Sequence, residues 1–275
     1  VLDLIDAVPA NASDAILAAL PDYMDAVHEM FEGDEATRAK VLGYASGKLS
    51  PVLSRIGYDA REGEGPQVPL LRQSLISTLG QMGEPMVVAE ARKRFAALSA
   101  NPAALDGPLK FVWLGIVAHG ADQPTWDTLR AMANKAPSQL EKSQYFALLG
   151  RVRDDKLAAQ ALDLAMTDEP GKTTSAAIIS TVAGEHDMLA VDYVLAHKAQ
   201  YDAMIDVSAR SQAVARLGGG SADPAMAEKL DAFATRYLTP ESRKVVDRAI
   251  AAIKTRVATR ARLKPEVASW LARRK

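Results

Sequence analysis

The most constraining feature of this sequence is a rhythm. Apolar residues recur at three- and four-residue spacings in one stretch after another, and each stretch is closed by Pro, Gly or Asp. The segment from Trp126 to Leu164 shows it best. Trp126, Leu129, Met132, Ala133 and Ala136 share one helical face, and Pro137-Ser138 interrupts it. Tyr145, Leu148, Leu149 and Val152 follow at i, i+3, i+4 and i+7, and Asp154-Asp155 introduces Leu157, Ala161, Leu164 and Ala165. An apolar face of this period leaves water only as an α-helix packed on a neighbour. Ser138-Gln139-Leu140-Glu141 has the spacing of a capping box, in which Ser and Glu satisfy orphan amides at a helix start.

The same pattern fills the rest of the chain. Ala15, Ile16, Ala19 and Leu20 form a stripe before Pro21, and Met24, Val27, His28 and Phe31 continue it. Asp34 is placed to cap a helix carrying Val41, Leu42 and Ala45 toward Leu49, with a short further helix after Pro51 that ends at Gly57-Tyr58. Residues 61–66, Arg-Glu-Gly-Glu-Gly-Pro, are a polar loop. Leu71, Leu75, Leu79 and Met82 run up to Gly83, and Pro85 stands where a first-turn proline belongs. Asp223-Pro224 and Thr239-Pro240 repeat that start signal, and a last helix is expected after Pro265 with Val267, Trp270 and Leu271. No stretch alternates with the period of a strand. Helix pairs recur at roughly 30–35 residues, the range of helical repeat arrays, without a preserved consensus. The expected fold is therefore all-α: an irregular HEAT-like superhelix of stacked helix pairs spanning residues 1–275. The loop at 59–67 is a possible sub-boundary.

Composition narrows the function classes. The 275 residues carry a net charge of −1, so no global field favours nucleic acid, although basic residues gather from Arg236 onward. Cysteine is absent, which removes disulfides, thiolate nucleophiles and cysteine metal sites together. No apolar run approaches the roughly 20 residues needed to span a bilayer. Val1-Leu2-Asp3-Leu4-Ile5 is neither a signal peptide nor an initiator start, and the chain reads as a fragment or processed product.

No catalytic constellation assembles from spacing. His28-Glu29-Met30-Phe31-Glu32 is the nearest approach to a zincin helix, but Glu32 stands where the second imidazole must be. His119 falls at a helix end, His186-Asp187 at a helix start and His197 in a last turn. Gly218-Gly219-Gly220-Ser221 lacks the lysine of a phosphate loop, and Asp154-Asp155 suits a helix N-terminus. Trp113, Trp126 and Trp270 lie on apolar faces, where packing is the plain reading.

Several short motifs nevertheless fall in a meaningful order. Trp126-Asp127-x-Leu129, Glu141-Lys142-Ser143-Gln144, Ala147-Leu148-Leu149-Gly150-Arg151 and Lys156-Leu157 are preceded by Ile56-Gly57-Tyr58, Leu71-Arg72 and Ala91…Phe95. Trp270-Leu271 follows them. In this order the chain resembles the C-terminal helical domain of the gluzincin zinc aminopeptidases, in the endoplasmic-reticulum and puromycin-sensitive branch. Two departures stand out: Tyr58 replaces a tryptophan, and Glu185 stands where some relatives have arginine.

The resemblance implies a bowl of helix pairs that closes over a separate catalytic domain, against which this domain packs. That domain would hold the zinc and its HExxH ligands, so this chain would carry neither cofactor nor catalytic residues. The whole enzyme would remove N-terminal residues from peptides, while this part encloses the chamber and limits peptide access. Basic residues on the inner face would meet the peptide's C-terminal part. Arg151, at the matched helix end, is the leading peptide-binding candidate, with a simple dipole-complementing role as the plainer reading. A freestanding α-solenoid that binds a protein partner is the alternative. No nucleic-acid partner is implied, and the compartment stays open.

Overall fold

The computed structural model describes residues 2–98 and 101–274; Val1, part of the N-terminal stretch considered above, lies outside them. Every regular element among the described residues is helical. The chain divides into two compact units, one running to Val117 and resuming at Lys264, the other covering Ala118–Leu263.

The first unit contains α1 (Leu2–Ala7), α2 (Asp14–Leu17), α3 (Leu20–Met30), α4 (Glu35–Ile56), α5 (Val68–Met82), α6 (Pro85–Ala97) and most of α7 (Lys110–His119). Within the second lie α8 (Gln123–Lys135), α9 (Gln139–Leu148), α10 (Asp155–Ala165), α11 (Lys172–Glu185), α12 (Asp187–Ala196), α13 (Lys198–Met204), α14 (Arg210–Gly218) and α15 (Pro224–Tyr237). The last helix, α16 (Pro240–Ala272), begins there. Successive helices pack in pairs: α4 with α5 in the first unit; α8 with α9, α10 with α11 and α14 with α15 in the second.

Local chemistry sets several helix starts as expected. Asp34 accepts from Thr37 N at 3.0 Å, Asp122 from Thr125 N at 3.0 Å, and Ser138 Oγ from Glu141 N at 3.1 Å. Asp154 Oδ1 accepts from the amides of Lys156 and Leu157, and Asp223 from Ala225 N. Each such cap is worth about 1 kcal/mol. Gly83 closes α5 with φ +85°, a left-handed conformation that glycine adopts without cost.

Elsewhere the fold departs from the expected pattern. In α2 the buried residue is Leu17, whereas Ile16 is 53% exposed, because a four-residue helix has too little length for a repeating stripe to choose its face. Helix α4 continues through Pro51. Val41, Ala45, Leu49, Val52, Leu53 and Ile56 form one buried face across the proline, whose own side faces solvent. Burial of that face offsets the roughly 3 kcal/mol that an internal proline costs a helix. Pro265 is likewise exposed inside an unbroken α16. The Tyr145 helix ends at Leu148 and tightens into a 3-10 turn over Leu149–Arg151, leaving Val152 extended.

The motif residues of the first unit have structural work. The end of the chain returns to its beginning: Val267, Trp270 and Leu271 pack on Phe31 and Val41. Trp270 Nε1 donates to Asp3 at 2.7 Å, and Arg274 stacks 3.5 Å from the Trp270 ring while pairing with Asp6. Arg72, only 2% exposed, donates to Gly57 O at 2.9 Å and Ile56 O at 3.2 Å and pairs with Glu64. It thereby ties the loop at 59–67 to the end of α4. Tyr58 meets Trp113 edge-on at 5.4 Å and is a packing residue.

Candidate functional site

The link between α9 and α10 in the second unit gathers the sequence's most informative residues. It begins at Gly150, which packs directly on α11. A Cβ built there would lie 2.9 Å from Ile178 O and 3.0 Å from Val182 N. Only a residue without a side chain lets the backbone come this close. The approach also explains why α9 stops at Leu148: one more turn of α-helix would carry the chain off this seat.

Three ring N–H groups then hold the link through its carbonyls. Trp126, fully buried on α8, donates Nε1–H to Leu149 O at 3.1 Å. His119, the last residue of α7, places Nδ1 3.3 Å from Arg151 O. His186, between α11 and α12, places Nε2 2.7 Å from Val152 O. Carbonyl oxygens only accept, so both imidazoles donate at these nitrogens. Arg153 N in turn donates to His119 O at 3.1 Å. The acidic groups close by are engaged as well: Glu185 Oε2 lies 3.7 Å from His119 Nδ1, and Asp155 Oδ1 lies 3.1 Å from His186 Nδ1.

Arg151 extends from the centre of this link. Its side chain is half-buried. No hydrogen bond or ion pair to its guanidinium is found among the described residues, whereas Arg94 and Arg130 bind Asp59 and Glu169. With three of the link's carbonyls already taken, what it offers outward at this point is a planar cation with five donors. Such a group binds an anion, above all a carboxylate, in two-point fashion.

The other candidate histidines make contacts of their own. His28 is buried, and its Nε2 accepts from Arg38 Nε at 3.2 Å, while Glu29 and Glu32 are exposed. His197 stacks on Tyr193 at 4.3 Å and bonds to Tyr193 O. Among the described residues no group of three or more His, Cys, Asp or Glu side chains is arranged to hold a metal ion.

Sequence reading brought Trp126, Gly150 and Arg151 together but missed His119 and His186. They reach the link from residues 32 and 34 positions away. That separation is close to the helix-pair period, the one signal that relates them.

Comparison with known families bears out the resemblance read from the sequence. A family model described as ERAP1-like C-terminal domain matches residues 1–255, nearly the whole chain. The match sets the protein in an aminopeptidase context. This chain belongs to the ERAP1-like C-terminal domain family.

Proposed function

We propose that this chain is the C-terminal part of a zinc metallo-aminopeptidase that removes N-terminal residues from peptides. Its helix pairs, HEAT-like in arrangement, enclose the chamber and restrict which peptides enter, and Arg151 meets the carboxylate at the peptide's far end. The metal and the exopeptidase residues belong to a catalytic domain against which this chain packs. No step of the reaction is assigned to residues of this chain. No helix among the described residues is long and apolar enough to cross a membrane.

The observation that carries this reading is Arg151, partly buried and with no partner to its guanidinium among the described residues, on a link whose carbonyls are held by Trp126, His119 and His186. Its donors are then available to a carboxylate brought from outside.

The test uses the intact enzyme. Arg151→Ala removes a charge-assisted contact worth about 1.5–3 kcal/mol. KM for peptides with a free C-terminal carboxylate should rise about 10- to 100-fold, whereas the same peptides amidated at that end should show little change. Equal behaviour of variant and wild type toward both series would return Arg151 to a structural role. The coding sequence upstream of Val1 tests the larger claim: an HExxH motif with a downstream Glu supports it, and a start codon at the domain edge sinks it in favour of a freestanding scaffold. The purified chain alone should neither cleave aminoacyl reporters nor bind zinc stoichiometrically.

A further inference from the structure

We infer that His119 and His186 are positioning residues for the link that carries Arg151, acting through its backbone rather than through the substrate. The inference rests on Arg151 as the peptide contact for its functional consequence, but its structural content stands separately. Beyond the 3-10 turn of Leu149–Arg151 the link continues as neither α-helix nor strand, so the carbonyls of Arg151 and Val152 lack the partners that regular structure supplies. A loop with orphan carbonyls would wander, and its arginine with it. Here Arg151 O and Val152 O, the carbonyls of two successive peptide units on either side of the Val152 Cα, each take an imidazole N–H from a different helix end. The backbone of Val152 is thus clamped between the end of α7 and the junction of α11 and α12, and Arg151 lies between that clamp and Gly150, which is seated on α11.

The histidines are themselves held in orientation. His186 has its second nitrogen 3.1 Å from Asp155 at the start of α10, and His119 has Glu185 beside it. His186, with Nδ1 facing the Asp155 carboxylate and Nε2 facing the Val152 carbonyl, cannot rotate without losing both, whereas at His119 the Glu185 carboxylate and the Arg151 carbonyl lie at the same Nδ1. Imidazole geometry also supplies a conservative test. An asparagine amide reaches the place of Nδ1–H, the atom His119 uses; a glutamine amide reaches that of Nε2–H, the atom His186 uses.

Two measurements separate the possibilities. Amide hydrogen exchange over residues 149–156, measured on this chain without peptide, reads the clamp directly. His119→Ala and His186→Ala should each speed exchange there about tenfold, as loss of a hydrogen bond of about 1–1.5 kcal/mol requires. His119→Asn and His186→Gln should restore protection. In the intact enzyme, the alanine variants should raise KM for free-carboxylate peptides several-fold with kcat unchanged, and the amide variants should recover it.

Unchanged exchange in both alanine variants would overturn the inference. So would faster exchange without any rise in KM while Arg151→Ala does raise it. If Arg151→Ala leaves KM unchanged, the peptide contact fails instead, and the exchange data alone decide whether the histidines position the link.

Discussion

Substitution of Gly150 by alanine reverses the usual sign of a glycine replacement. In a helix, Gly→Ala ordinarily stabilises by about 0.5–1 kcal/mol, because glycine loses more backbone freedom on folding. Gly184, inside α11, has open space around its added Cβ and should behave that way. At Gly150 the same carbon lies 2.9 Å from Ile178 O, with Val182 N and Val182 Cγ2 at 3.0 Å. Two of those three neighbours are backbone atoms of α11, which cannot swing aside as a side chain does. The link and α11 must part, and overpacking of this kind costs about 1–3 kcal/mol. Set against the ordinary gain, Gly150→Ala should lose about 1–2 kcal/mol. Urea unfolding followed by circular dichroism should show a lower midpoint with unchanged slope for Gly150→Ala, and a higher midpoint for Gly184→Ala. Equal midpoints for the two variants would refute the argument that the backbone seat on α11, rather than turn conformation, requires glycine. Exchange over residues 149–156 should rise in Gly150→Ala as well, because the seat and the imidazole clamps hold the same segment.

Other perturbations test separate parts of the fold. Arg72→Leu leaves the carbonyls of Ile56 and Gly57 and the Glu64 carboxylate without their buried partner. The loss should be about 3–5 kcal/mol, read as a fall in urea midpoint, and Arg72→Lys should recover only part of it. Asp25 offers a pH test: burial pushes its carboxyl up to about 6 from the ordinary 3.8, against the lowering effect of a hydrogen bond from Thr78. A raised pKa means that the folded state holds the proton more tightly. Its contribution is therefore fully present below 3.8 and is lost as pH rises through about 6. Asp25→Asn, which still accepts from Thr78, should match wild type in urea midpoint near pH 3.5 and exceed it by about 1 kcal/mol at pH 7.5, after allowance for the partial exposure of the group. A constant difference across that range would show that Asp25 does not titrate with folding.

What the sequence by itself determined was local. The caps at Asp34, Asp122, Ser138, Asp154 and Asp223 each join residues two or three apart, so their partners are visible in the string. The all-helical class followed from the same short range, since a 3.6-residue stripe shows in any dozen residues. The family resemblance was legible because motif order survives along the chain even where each motif is weak.

What only the tertiary structure decided depends on residues far apart. Pro51 and Pro265 carry the local signal for a break, yet their helices continue, because the apolar faces that flank them are buried and the prolines themselves face solvent. Leu17 rather than Ile16 turns inward because a neighbour, not a period, chose its face. Arg72 reads as an ordinary charged residue until its guanidinium is found on two carbonyls some fifteen positions away. Arg151 could be singled out from its place in a motif. What distinguishes it is the absence of a partner among the described residues and the brace around it, drawn from Trp126, His119 and His186. Backbone carbonyls outside regular structure must find donors wherever the fold brings them, and no spacing rule in the chain says which histidine that will be.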